Sequence, residues 1–288
     1  MPSHLHALPS YRPAADETLD TRCVLGESPL TMPGTGTLHW VDAGRGVLHT
    51  YRAGVRSEVR VTGGVLAAVV AGADGEPVLV VDRQIRLASG RIVAELPDDP
   101  AGVRCNDAKA GPDGRLWTGT VVPDTPGGGA LWSVDAAGTT VRHWDGVSHG
   151  NGIAWDPLGE TLYVVDSGPG TLSRAPFRDG DPGPPEVILT IPRAQGIPDG
   201  LTVDAGGDLW LAVWGGHCVL RLRPDGTPAG RIDLPERNVT SCAFHAGRLA
   251  VTTAADDVDP TAPGGAVHLL DLGRQGPPGH HFGERSAR

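Results

Sequence analysis

Short runs of strand-forming residues alternate with tight turns along the whole chain. In "TLHWVD", "ETLYVVDS" and "GDLWLAVWG", Val, Leu, Trp, Tyr and Thr alternate with small or polar residues at a period near two. Gly, Pro, Asp and Asn bound these runs, as turn chemistry requires. No stretch carries a convincing helical period. "GGVLAAVVAG" is apolar throughout, but it is short and bounded by glycines, so it reads as a buried strand.

One phrase recurs: a Gly-containing turn, a large apolar residue, then alternating β-formers. It reads "GTGTLHWVDAGRGVLHTYRAG", "DGEPVLVVDRQIRLASG", "PDGRLWTGTV…GGGALWSVDAAG", "LGETLYVVDSGPGTLSRAPFRDG", "GGDLWLAVWGGHCVLRLRPDG" and "HAGRLAVTTA…GGAVHLLDLG". The copies recur about every 40 to 47 residues, which is the period of a propeller blade. Six all-β units of roughly four strands each predict a six-bladed β-propeller. A β-sandwich has no reason to repeat at this period, and a parallel β-helix repeats over fewer residues. An open ring would leave unpaired strand edges. "ETLDTRCVLGESP", ahead of the first full repeat, is therefore expected to add a strand to the blade of the last repeat. Residues 1–14 and 281–288 are expected to be flexible tails on a single domain spanning 15–280.

Composition sharpens this picture. The 42 glycines and 26 prolines of the 288 residues sit between apolar runs, which suits many turns and not disorder. A net charge of −10 and a pI near 5.5 do not attract nucleic acid or anionic membranes. Lys109 is the sole lysine. Cys23, Cys105, Cys218 and Cys242 lie far apart, with no CxxC pair and no disulfide framework. The N-terminus lacks an apolar signal region, and no run approaches the roughly 20 apolar residues of a spanning helix. The expected setting is the cytoplasm, with reduced thiols, as a monomer or weak homodimer.

The repeat also gives meaning to scattered polar residues. Glu27, Asn106, Asn151 and Asp199 precede the second-strand anchors Leu38, Leu116, Leu162 and Leu209 by 10 or 11 positions. In a propeller the innermost strands line the central channel, so equivalent positions converge near the axis. Two carboxylates and two amides meeting there form an oxygen-rich cage suited to Ca²⁺, Mg²⁺ or Mn²⁺. Without a cation, Glu27 and Asp199 would repel one another and lose hydration. The ordinary reading of Asn-Gly or Asp-Gly is a turn, but four polar heads in one register favour the cage. The "PDG" and "GGD" phrases themselves are read as turns between strands.

At these residues the chain resembles the SMP-30/gluconolactonase/regucalcin family. The matching phrases are "LGESPL", "TGTLHWVDAGRGVLHTY", "RCNDAKAGPDGRLWTGT", "GNGIAWDPLGETLYVVDS", "IPDGLTVDAGGDLWLAVWGG" and "VTSCAFHAGRLAVTTA", in family order from about residue 20 to 255. The resemblance implies a six-bladed propeller that hydrolyses a small-molecule sugar lactone with one divalent metal ion. Ca²⁺ is the first choice, with Zn²⁺, Mg²⁺ or Mn²⁺ as alternatives. It implies metal ligands at Glu27, Asn151 and Asp199, and substrate contacts at Arg104 and Asn106. Thr31, Ala108 and Val121 stand where the family often has Trp, Gly and Met, which bears on substrate shape.

Lactone hydrolysis needs an activated water and a stabilised oxyanion, and one metal can serve both. Asp199 is assigned as ligand and general base, since a carboxylate at the metal can take the water proton. Arg104 and Asn106 are two apart, so on a strand they share a face, with Cys105 turned into the packing. His149 reads as a loop residue, with a place in the site wall as the alternative. There is no GxSxG elbow, no HExxH pair and no 12-residue acidic calcium loop. A related esterase or phosphotriesterase, or a non-catalytic metal-binding propeller, are the alternative functions.

Overall fold

The computed structural model describes residues 8–11 and 16–284. Six antiparallel sheets follow one another along the chain. Blade 1 is Gly26–Met32, Thr37–Asp42, Val47–Arg52 and Val55–Arg60. Blade 2 is Leu66–Ala71, Pro77–Val81, Gln84–Leu87 and Ile92–Glu95; blade 3 is Arg104–Ala110, Leu116–Val121, Gly129–Val134 and Thr140–Val147. Blade 4 is Gly150–Trp155, Thr161–Asp166, Thr171–Arg178 and Glu186–Thr190, with a short extra strand at Asp181–Pro182. Blade 5 is Ile197–Val203, Leu209–Trp214, Cys218–Leu222 and Pro228–Asp233. Blade 6 takes Val239–His245, Arg248–Thr253 and Val267–Leu270 from the end of the chain and Asp16–Leu19 from its beginning.

The ring closes as the edge argument requires. Asp16–Leu19 pairs antiparallel with Val267–Leu270, Leu19 opposite Val267. Glu17 locks the seam, accepting from Tyr51 Oη of blade 1 at 2.7 Å and from Arg248 of blade 6 at 2.6 Å.

Burial departs from strict alternation for a clear reason. Second strands such as Thr37–Asp42 and Leu116–Val121, and the third strand Gly129–Val134, are buried on both faces, because each blade is covered by a neighbour on either side. Val55–Arg60, at the rim, is exposed at every position. The apolar side chains gather in six seams, one between each pair of adjacent blades. "LAAVVA" is a fully buried strand, as expected, and is the inner strand of blade 2.

The expected tails differ. Among residues 1–14, Leu8–Tyr11 runs along the outer strand of blade 5: Tyr11 N donates to Arg231 O at 2.7 Å and Arg231 N to Pro9 O at 3.0 Å. The Tyr11 ring meets Trp210 edge-on at 5.8 Å. At the other end, Phe282 is buried in the seam between blades 2 and 3, and its N–H donates to Ala71 O at 2.8 Å. Apolar burial and an otherwise open strand edge hold both segments down. The rest of both expected tails lies outside the described residues.

Candidate active site

The channel is lined by the first strand of every blade, and each begins with an irregularity. All six lose register with their second strand at the head, for instance between Glu27 and Leu30, Cys105 and Asp107, Asn151 and Ile153, and Pro198 and Leu201. Such bulges re-aim side chains. Ser28, next to Glu27, takes a φ of 51°. Its hydroxyl holds that conformation, donating to Val69 O at 3.3 Å and accepting from Val69 N at 3.1 Å.

Asn151-Gly152 and Asp199-Gly200 are not turns. Both lie inside inner strands, so the turn reading of "PDG" fails at Pro198–Gly200. The glycines answer to crowding around the axis. A Cβ on Gly152 would stand 2.6 Å from Asp199 O, and one on Gly200 would collide with Ser241 Cβ.

Glu27, Arg104, Asn106, Asn151 and Asp199 all line one cavity of about 390 Å³ at the head end of the channel. His149 lines it too, which settles its position in the wall. Arg104 donates to Asn106 Oδ1 at 3.2 Å, and Asn106 Nδ2 donates to Asn151 Oδ1 at 2.7 Å. Asn151 Nδ2 donates to Ser167 Oγ at 2.8 Å, and Ser167 donates to Pro198 O at 2.6 Å. This chain of bonds crosses three blades and ends beside Asp199. Cys105 faces the core and is fully buried; burial pushes its thiol up to about 12.

The electrostatics favour a cation. Burial, then the charges of Asp199 and Asp107, push the Glu27 carboxyl well above its usual range. Burial, then Asp107, does the same to Asp199. Asp199 is 6% exposed, and its buried Oδ1 has no hydrogen-bond partner. An orphaned carboxylate oxygen is costly unless something positive meets it. Two carboxylates and an amide oxygen are hard donors, so Glu27, Asn151 and Asp199 fit a divalent ion chemically.

The family profile described as SMP-30/Gluconolactonase/LRE-like region matches residues 25–255. The chain belongs to this family. Its relatives include a pentonolactonase of Haloferax volcanii, 35% identical across 90% of this chain and 95% of that protein. A 6-deoxy-6-sulfogluconolactonase of Pseudomonas putida is 33% identical over 77% and 79% of the two chains. The crystal structure of a calcium-binding protein, regucalcin, from Agrobacterium tumefaciens superposes with a TM-score of 0.83 at 29% identity, covering 91% and 95%.

Two of the three departures from the family pattern sit away from the cavity that holds Asp199. Thr31 and Ala108 line a separate cavity of about 240 Å³ at the opposite end of the channel, covered by Gly276–His280. Thr31 Oγ1 donates there to Phe244 O at 2.9 Å. Val121 is nearer the site, bridged to His149.

Sequence reading missed Ser167 and the surroundings of Lys109. Lys109 reaches from blade 3 past blade 4 and donates to Leu201 O of blade 5 at 2.9 Å. A "DS" pair at a strand end carries no distinctive signal, and a lone lysine shows only its rarity. A second cluster, Cys23, Asp42 and His49, places its ligand atoms within 4.8 Å of one another between blades 6 and 1. There Asp42 already accepts from Val24 N at 3.0 Å and Leu25 N at 3.1 Å, and burial pushes the Cys23 thiol up. Asp42 is thus engaged by the fold itself, whereas among the described residues His49 Nδ1 is buried without a hydrogen-bond partner.

Proposed function

We propose that this protein is a divalent-metal-dependent lactonase that opens a sugar lactone to its hydroxy acid. The buried, unpartnered Oδ1 of Asp199, in a cavity shared with Glu27, Asn151, Asn106 and Arg104, carries the proposal. The pentonolactonase relative supports the substrate class, and the regucalcin structure supports Ca²⁺ as the first ion to test.

Glu27, Asn151 and Asp199 would hold the ion, which when bound would polarise the lactone carbonyl and lower the pKa of water. Asp199 accepts the proton of the attacking water as its oxygen bonds to the acyl carbon. The ring acyl–oxygen bond then breaks, and the proton passes to the departing ring oxygen. Arg104 and Asn106 orient the lactone, since a guanidinium and an amide bind carbonyl and hydroxyl oxygens. Asn106 also holds the Asn151 amide in place. The cytoplasm and a monomeric or weakly dimeric state are part of the same proposal.

The test is hydrolysis of pentono- and hexonolactones after EDTA treatment, then with Ca²⁺, Mg²⁺, Mn²⁺ or Zn²⁺ restored. Metal-restored turnover is expected, and Asp199→Asn should abolish it with the β-rich circular dichroism spectrum retained. Turnover confined to aryl esters or organophosphates would point to an esterase or phosphotriesterase on the same scaffold. Wild-type rates in Asp199→Asn would remove that residue from the mechanism.

A further inference from the structure

The cavity around the proposed centre has an unusual charge balance for a chain of net charge −10. Its carboxylates are Glu27 and Asp199, which a divalent ion offsets. Two guanidiniums are left over. Arg104 is half-buried in the cavity wall. Among the described residues its bonds run to Asn106 Oδ1 at 3.2 Å and Cys105 O at 3.5 Å, and no carboxylate lies within ion-pair distance. Asp82 is the acid whose charge it feels, yet Asp82 Oδ1 accepts from Val65 N at 3.0 Å.

Arg193 stands at the cavity rim, on the short 3-10 turn Arg193–Gln195 that leads into the strand carrying Asp199. Among the described residues it forms no ion pair. His149 lines the same cavity. Trp214 supplies an apolar side to the same cavity. Arg83 and Arg237, also partly buried, are by contrast paired, with Glu95 at 2.8 Å and Asp257 at 2.7 Å.

A half-buried guanidinium such as Arg104 is costly without a counter-ion, while Arg193 is exposed at the rim and adds positive charge at the cavity mouth; a guanidinium is the side chain best suited to bidentate capture of a planar or tetrahedral anion. From Arg104 and Arg193 we infer that the preferred substrate is an anionic sugar lactone, one whose end remote from the lactone carbonyl carries a carboxylate, sulfonate or phosphate. The inference rests on the lactonase reading and narrows it. The lactone carbonyl lies toward Asp199, and the anionic terminus lies toward the two arginines. A neutral lactone leaves both guanidiniums without an anion.

The test compares kcat/KM of the metal-loaded protein for gluconolactone and for the same lactone with a carboxylate, sulfonate or phosphate ester at C6. At least one anionic lactone is expected to be favoured by about 10-fold or more, with the preference shrinking as salt rises from about 0.05 to about 0.5 M. Arg193→Gln should pull the anionic-to-neutral ratio toward one, and Arg193→Lys should keep more of it. Melting curves check that both variants fold. Equal or better use of the neutral lactone, or a ratio unmoved in Arg193→Gln, overturns this inference and leaves the lactonase reading intact. Absence of turnover with every lactone and every metal overturns both.

Discussion

Asn151 Nδ2 donates to Ser167 Oγ at 2.8 Å, and this single bond decides which end of the amide faces the channel. With Nδ2 held, Oδ1 is left to the cage, where it also accepts from Asn106 at 2.7 Å. Ser167 is itself fixed by donating to Pro198 O at 2.6 Å. A side chain that orients a ligand in this way is worth about 10- to 100-fold in metal affinity.

Ser167→Ala should therefore weaken binding of the divalent ion by about 10- to 100-fold. Calorimetric titration of the EDTA-treated protein checks it. Ser167→Thr, which keeps the hydroxyl, should recover most of the affinity, and equal affinity in Ser167→Ala would show that Asn151 needs no such support.

Removing the metal should expose the cost of the two buried carboxylates. Burial, with repulsion from neighbouring acids, raises the Glu27 and Asp199 pKa values above 4.5 and 3.8. A raised group contributes stability below its unfolded pKa and loses it as pH climbs through the folded value. The stripped wild type should thus lose stability from the acid range toward pH 8. Asp199→Asn removes one charge, so stripped Asp199→Asn should melt higher than stripped wild type at pH 8, with the gap closing toward pH 5. A gain of about 1–2 kcal/mol amounts to several degrees in a chain of this size. Equal melting temperatures at pH 8 would mean that the buried Asp199 charge costs the fold nothing.

The heads of the inner strands were legible in the sequence because the blades repeat. Glu27, Asn106, Asn151 and Asp199 stand 10 or 11 positions before their anchors, and the ring turns that near-constant offset into proximity. The closing strand at Asp16–Leu19 followed from edge pairing alone. What stayed hidden depends on meetings between non-equivalent positions. Ser167 reaches Pro198 only after blades 4 and 5 dock, and Phe282 finds its place only once blades 2 and 3 leave a seam open. The glycines after Asn151 and Asp199 imitate turn signals, yet their cause is the crowding of strands at the axis.

Lys109 should prove structural and electrostatic at once. Burial pulls its ammonium down in pKa, while Asp107 opposes that shift. It is a buried cation of a channel that also holds Glu27, Asp107 and Asp199. Lys109→Met keeps the bulk but leaves Leu201 O without its donor and Asp107 without its neighbour. A loss of about 2–4 kcal/mol is expected in urea unfolding with metal in excess. Asp107→Asn combined with Lys109→Met should lose less than Lys109→Met alone, because the buried charge is removed together with its partner. Strictly additive losses would show that the two side chains do not communicate.

Gly200 offers the sharpest test of why the acid at position 199 is followed by glycine. A Cβ there would collide with Ser241 Cβ and stand 2.6 Å from Ser241 Cα. Both atoms belong to the inner strand of blade 6, so neither yields as the end of a flexible side chain does. Gly200→Ala must push blades 5 and 6 apart at the point where Asp199 enters the channel. Overpacking of this kind costs about 1–3 kcal/mol. Metal affinity should fall with stability, because the displaced strand carries a proposed ligand. Gly200→Ala with Ser241→Gly relieves the collision with the serine side chain but not the crowding against its backbone, so it should recover part of both losses. If Gly200→Ala melts like wild type and binds the ion equally well, the glycine serves the local backbone alone, and the crowded axis is not what selects it.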